Sequence, residues 1–178
     1  MKLYVMRHGQ TNWNVLRKIQ GKTDIKLNEN GIKQAINQKQ VFNKLNIDLI
    51  ISSPLKRAFQ TATLVSEDKK VDIIIDEALI ERGYGEYEGV LVQNLDGLEL
   101  YNYKLNKSEK GIEPVVDLFN RVWKFLDDIK AKYYDKNILL VTRGGTTRAI
   151  DAYFNQLNGD EVLSTHIKNC EIREYMFN

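Results

Sequence analysis

Four short apolar runs recur along the chain, and each gives way to residues that end a strand. Leu3-Tyr4-Val5-Met6 runs into Arg7-His8-Gly9, and Asp48 to Ile51 runs into Ser53-Pro54. Val71 to Ile75 is a third run, and Ile138 to Val141 leads into Thr142-Arg143-Gly144-Gly145. The β-branched and aromatic content of the first suits a buried strand, and the others read as strands too. Helical patterns fill the gaps between them. Asn28 offers an N-cap for a helix towards Leu45, with Ile32, Ala35, Ile36, Lys39 and Phe42 as an interrupted stripe and Gly31 weakening its start. Ser53 offers a second cap with Pro54 at the first helical position, opening a helix through Leu55, Ala58, Thr61, Ala62 and Val65. Pro114 opens a long helix whose buried face is Val115, Leu118, Phe119, Val122, Phe125, Leu126 and Ile129. A further helix through Ala149, Ile150, Tyr153 and Phe154 follows Gly145, and Glu171 to Met176 suggests a last strand. Strands alternating with helices predict an α/β layered sheet.

The rest is less regular. Thr11 to Ile19 can hold a short helical turn, and Gln20 to Leu27 reads as a loop. Residues 77–112 have little periodicity and are punctuated by glycines and tyrosines, with one weak helix around Leu91 to Tyr103. A lid-like insertion around 89–111 inside one domain, 1–178, is the expectation. A chain of 178 residues that is 43% hydrophobic can bury a sizeable core. A net charge of +2 gives no reason to expect nucleic acid or membrane as a partner. The apolar runs are too short to span a bilayer and the start lacks a signal-peptide pattern, so a cytoplasmic protein is expected, as a monomer or homodimer. One cysteine, Cys170, excludes an internal disulfide and reads as a small buried residue in the terminal strand. Two histidines and one cysteine cannot assemble a metal cluster of His/Cys type, and no cofactor is expected.

The chemistry gathers at predicted strand ends, which a parallel sheet brings to one edge. Arg7-His8, Arg57, Glu81 and Arg143-Gly144-Gly145 all lie at such ends or just beyond them. Arginine presents a permanent fork-shaped cation suited to phosphate or carboxylate, and His8 can titrate near neutral pH and act as a nucleophile. Arg57 in a first helical turn opposes the helix dipole, a mild sign of an anion nearby. Backbone N–H groups after Gly145 would add to an anion site. Glu86 and Glu88 compete with Glu81 on composition alone.

Longer matches extend these signals. Arg7-His8-Gly9-x-Thr11-x-Trp13-Asn14 resembles the signature of the histidine phosphatase superfamily, the phosphoglycerate mutase-like proteins. Gly21, Asp24, Leu27, Gly31, Gln34 and Ala35 fit its spaced pattern, and Ser52 to Ala62 resembles a second motif almost residue for residue. Leu79 to Gly89 resembles a third, and Gly111-Ile112-Glu113, Asp117 and Arg121-Val122 resemble the approach to the long helix. The resemblance implies a three-layer α/β/α sandwich around a mostly parallel sheet. It implies a phosphomonoester phosphatase whose small-molecule substrate leaves its phosphoryl group on His8. Arg7 and Arg57 would clamp the phosphate, Asn14 would support it, and Glu81 would act as general acid and then base. Gln20, Gly21 and Gly144 would complete the substrate site. One position departs from the family: Arg143 stands where a histidine is expected before the glycine pair, and His166 lies in another segment and reads as a surface residue. Arginine can donate to phosphate but cannot accept or carry a proton. Impaired turnover is therefore expected at Arg143. Two alternatives stay open, mutase-type phosphotransfer dependent on a bisphosphorylated cofactor and a non-catalytic protein that binds a phosphorylated ligand.

Overall fold

The computed structural model describes residues 1–157 and 161–177. Its sheet contains β1 (Lys2–Arg7), β2 (Leu49–Ser52), β3 (Asp72–Ile75), β4 (Ile138–Thr142) and β5 (Ile172–Met176), in the order β3-β2-β4-β1-β5. β1 pairs parallel with β4, β4 with β2 and β2 with β3, while β5 runs antiparallel along β1. All four apolar runs become strands, with ends that move by about a residue. The helices are α1 (Asn12–Val15), α2 (Glu29–Lys44), α3 (Lys56–Ser66), α4 (Gly97–Leu100), α5 (Val115–Lys132), α6 (Gly144–Asn155) and α7 (Glu161–Ser164).

The period of two along each strand sorts the core into two layers. Leu3, Val5, Leu49, Ile51, Ile138 and Leu140 pack beneath α5 and α6. Tyr4, Met6, Ile50, Leu139 and Val141 face the other way, onto Phe42 of α2 and Ala58, Ala62 and Val65 of α3. Burial on both faces is why these strands read as continuous apolar runs. The result is the expected three-layer α/β/α sandwich. The seven residues expected on the inner face of α5 are all buried.

Several sequence expectations are corrected. Asn28 does cap α2, taking the Gly31 N–H at 2.8 Å. The buried face of α2 is Gly31, Ala35 and Phe42, however, and Ile32 and Ile36 are 37% and 43% exposed. Gly31 sets that rotation: a Cβ there would collide with the Gln10 backbone, and one on Gly9 would reach the Gly31 carbonyl at 2.5 Å. The loop after β1 thus packs glycine against glycine on the first turn of α2. Ser53 does not cap α3: its N–H donates to the Val141 carbonyl at 3.0 Å, and its Oγ reaches only the Leu55 N–H at 3.5 Å, ahead of the helix. The helix starts at Lys56 after Leu55, and the Lys56 N–H is met by Asp24 at 2.8 Å instead. The helix expected around Leu91 to Tyr103 is broken into a 3₁₀ turn at Val92–Asn94 and the short α4. Asn94, Asp96 and Gly97 favour turns over helix interiors. Cys170 is buried as expected, but in the turn before β5, with φ at +59°.

Two alanine substitutions on α2 separate its faces. Phe42→Ala is expected to cost about 3–5 kcal/mol of unfolding free energy, as truncated buried aromatics do. Ile36→Ala is expected to stay within about 0.5 kcal/mol. Urea titration of both variants checks the assignment.

Candidate active site

The register of the two central strands builds the site. Arg7 of β1 lies opposite Thr142 of β4, and the His8 N–H donates to the Thr142 carbonyl at 3.0 Å. His8 and Arg143 therefore leave the sheet side by side at its carboxyl edge, where open α/β sheets bind ligands.

His8 is fully buried and its protonation follows from its neighbours. Nδ1 lies 2.5 Å from the Gly9 carbonyl, which can only accept, so Nδ1 carries the proton. Nε2 lies 3.0 Å from Arg143 Nε, which can only donate, so Nε2 offers its lone pair. Burial first, then Arg57 and Arg7, hold the His8 pKa well below the ordinary 6.5. The ring is a neutral imidazole whose lone pair, on Nε2, is taken by a guanidinium.

The arginines differ in how they are held. Arg7 donates from Nη1 to the Ile167 carbonyl at 2.9 Å, and its Nε is buried without a partner. Arg57 is fully buried, with Nη1 on the Thr23 carbonyl at 2.7 Å, Nη2 on the Gly21 carbonyl at 2.8 Å and an unpartnered Nε. Burial lowers its pKa to about 10. Arg143 donates from Nη1 to the same Gly21 carbonyl at 2.8 Å. Buried donors without acceptors are costly, and an anion would satisfy them. Asn14 takes the Thr11 N–H at 3.0 Å within a capping box, and Gln20 takes the Thr11 hydroxyl at 3.0 Å.

Glu81 is the one carboxylate among the described residues that lines the adjoining cavity of about 360 Å³. It accepts from the Arg82 N–H at 2.9 Å and the Gly145 N–H at 3.0 Å, and its other oxygen lies 3.9 Å from Arg143 Nε. Its segment is strapped down by Arg121, which bonds the carbonyls of Ala78 and Ile80 and pairs with Glu113 at 2.7 Å. The rival carboxylates are spoken for or remote: Glu88 takes the Lys22, Thr23 and Tyr84 N–H groups, and Glu86 is exposed.

The cavity wall includes Arg7, Asn14, Gln20, Gly21, Glu81, Arg143 and Gly144, as expected of a substrate site, but neither His8 nor Arg57. Arg143, bonded to both His8 and Gly21, closes them off. Arg57, expected to help clamp the phosphate, is bonded to the Gly21 carbonyl from behind. His166 is exposed as expected, but at the mouth of the cavity. Sequence reasoning missed Arg148 and Lys18, which also line it. The spacing from Gly144 to Arg148 on α6, one helical turn, was the available signal.

The model of the histidine phosphatase superfamily (branch 1) matches residues 3–178. The chain belongs to the histidine phosphatase superfamily. It is 32% identical to a putative phosphoserine phosphatase 2 of Hydrogenobacter thermophilus, over 97% of this chain and 88% of that one. It superposes on a phosphoserine phosphatase of Entamoeba histolytica in complex with 3-phosphoglyceric acid, with TM-score 0.83 and 29% identity over 99% of this chain and 90% of that one. A mycobacterial glucosyl-3-phosphoglycerate phosphatase complexed with VO3 gives TM-score 0.85 and 27% identity, over 97% and 91%. The family, the α/β fold and the phosphatase function expected of the sequence are borne out. Among the described residues no helix is long and apolar enough to cross a membrane.

Within this site Arg143 Nε donates to the Nε2 lone pair of His8. Arg143→His removes that bond and is expected to raise turnover of an aryl phosphate and weaken inhibition by inorganic phosphate. A less active variant with unchanged phosphate inhibition would make Arg143 a working part of the site. Burial of His8 also sets a pH dependence. The native ring stays neutral while the unfolded chain binds a proton below about pH 6.5, so this stability is intact above that pH and lost as pH falls beneath it. His8→Gln is expected to flatten the fall in unfolding free energy between about pH 6.5 and 5, by up to about 1.4 kcal/mol per pH unit, as read by denaturant titration at stepped pH.

Proposed function

We propose that the protein hydrolyses a small phosphomonoester through a phosphohistidine on His8 Nε2. The observation that carries this reading is the forced tautomer of His8: a buried neutral imidazole whose lone pair meets Arg143, a residue of the cavity wall, beside buried arginine donors that lack acceptors.

A phosphate dianion entering the cavity meets Arg7 and Arg143. Arg143 exchanges its bond to Nε2 for bonds to phosphate oxygens, which unveils the nucleophile. Breaking a bond to a charged donor costs about 1.5–3 kcal/mol unless the phosphate replaces it. Nε2 then attacks phosphorus in line, the ester P–O bond breaks, and Glu81 donates its proton to the departing alkoxide. The cations stabilise charge spread over the equatorial oxygens. In the second half Glu81 takes a proton from water, the hydroxide attacks phosphorus, and the P–N bond breaks to restore His8 and release phosphate. Val92, Leu95, Leu100 and Tyr101 line the cavity from 89–111, which supports reading that segment as a lid over the leaving group within one domain. A cytoplasmic location accords with this chemistry.

A second reading has one specific observation in its favour. Arg143 on the Nε2 lone pair would suit a protein that binds a phosphorylated ligand without turning it over. Turnover of p-nitrophenyl phosphate, abolished in His8→Ala, separates the two. Glu81→Gln tests the acid. The loss is expected to be about 10²- to 10⁴-fold for alkyl phosphates and markedly smaller for p-nitrophenyl phosphate, whose leaving group needs no proton. Equal losses on both substrates would reduce Glu81 to a positioning role.

A further inference from the structure

Arg148 is not used by the chemistry described so far. It stands on α6 one turn beyond Gly144 and lines the cavity. Its Nε is buried with no partner, and its one hydrogen bond given by the structure is a long contact of 3.4 Å from Nη1 to the Tyr101 hydroxyl. It forms no ion pair among the described residues.

Tyr101 is held ready beside it. The Arg148 guanidinium lies 5.1 Å from the Tyr101 ring centroid, and that of Arg82 lies at the same distance. Arg82 is fully buried and fixed by the carbonyls of Glu113 and Leu100. The Tyr101 hydroxyl pairs with that of Tyr84 at 2.9 Å. Gly145 supplies the link to the reacting centre. A Cβ on it would strike Glu81 Oε1 and come within 3.1 Å of the Tyr101 oxygen. Glu81 and the Tyr101 hydroxyl therefore flank one bare glycine, and Arg148 adjoins the proton donor.

Charge points to the occupant. The cavity wall carries Arg7, Lys18, Arg143 and Arg148 against the single carboxylate of Glu81. A phosphate dianion is met by Arg7 and Arg143, which leaves a lone guanidinium with an unused N–H on the leaving-group side. One planar fork matches one planar monoanion.

We propose that Arg148, with the Tyr101 hydroxyl, is a specificity subsite for a carboxylate carried on the substrate's leaving group. The proposal rests on the phosphatase reading for which side the leaving group takes. The test compares 3-phosphoglycerate with glycerol 3-phosphate, which carries a hydroxymethyl group in place of the carboxylate. The wild type is expected to favour the carboxylate in kcat/KM by roughly ten- to a hundredfold, the discrimination a charge-assisted hydrogen bond supplies. Arg148→Met is expected to bring that ratio close to one, chiefly through KM, and Arg148→Lys to restore part of it. A role confined to holding Tyr101 would change both substrates together and leave the ratio alone. A wild-type ratio near one overturns the subsite without any variant, and so does a ratio that survives in Arg148→Met. If no phosphomonoester is turned over, the phosphatase reading fails separately. The same ratio is then read from calorimetric dissociation constants, where a tenfold preference upholds the subsite and equal affinities overturn it.

Discussion

The bond from Arg143 Nε to His8 Nε2 decides what the rest of the site can do. It exists because β1 and β4 are parallel neighbours whose register ends at Arg7 and Thr142, so the next residue of each strand emerges next to the other. It fixes the imidazole tautomer, with the Gly9 carbonyl holding the opposite nitrogen. It also closes the path from the cavity to His8 and Arg57. On the proposed mechanism, attack on phosphorus needs the lone pair that this bond occupies, so a ligand would have to draw the guanidinium away first. An anion would give Arg143 a stronger, charge-assisted partner than the neutral imidazole, and on the same mechanism this couples phosphate binding to exposure of the nucleophile.

Around that bond cations outnumber carboxylates, with Arg7, Arg57 and Arg143 set against Glu81. His8 is kept neutral by burial and by Arg57 and Arg7, and the Nε groups of Arg7 and Arg57 are buried without acceptors. A cluster of this kind is destabilising in an empty fold. Backbone carbonyls of Gly21, Thr23 and Ile167 take some of the guanidinium N–H groups, and the pairing of β1 with β4 fixes the strand ends that carry Arg7, His8 and Arg143. Arg121 and Glu113 do the same for the segment bearing Glu81.

Much of the fold was legible in the sequence because its strongest signals were local. The β-branched runs at Leu3, Ile50 and Ile138 sit between two helical layers and had to be apolar throughout, and the stripe from Val115 to Ile129 fell wholly on one face of α5. Burial in α2 was set instead by a non-local contact, the approach of Gly9 and Gln10 to Gly31, so Ile32 and Ile36 looked inward on pattern and lie outward in space. Ser53-Pro54 had the chemistry of a cap, but the helix starts further on, at Lys56, where the distant Asp24 meets the first N–H. At the site, Arg7, His8, Glu81 and Arg143 were legible from strand ends and from the family motifs. What the sequence could not show was that Arg143 would lie on the His8 lone pair, since that depends on strand register. Arg148 and Lys18 were missed because a single cation on a helix or loop carries no pattern until the cavity it faces is known.

The central claim is that His8 Nε2 carries the phosphoryl group in turnover despite Arg143. Rapid mixing of the wild type with excess p-nitrophenyl phosphate, an alkaline quench and fragmentation mass spectrometry of the peptide containing residues 7–18 tests it directly. The predicted result is a phosphoryl group on His8, stable to base, labile to acid and assigned to Nε2 by ³¹P NMR of the quenched protein. Steady release of nitrophenol with no phosphoryl group on His8, or with one trapped on another residue, would contradict it.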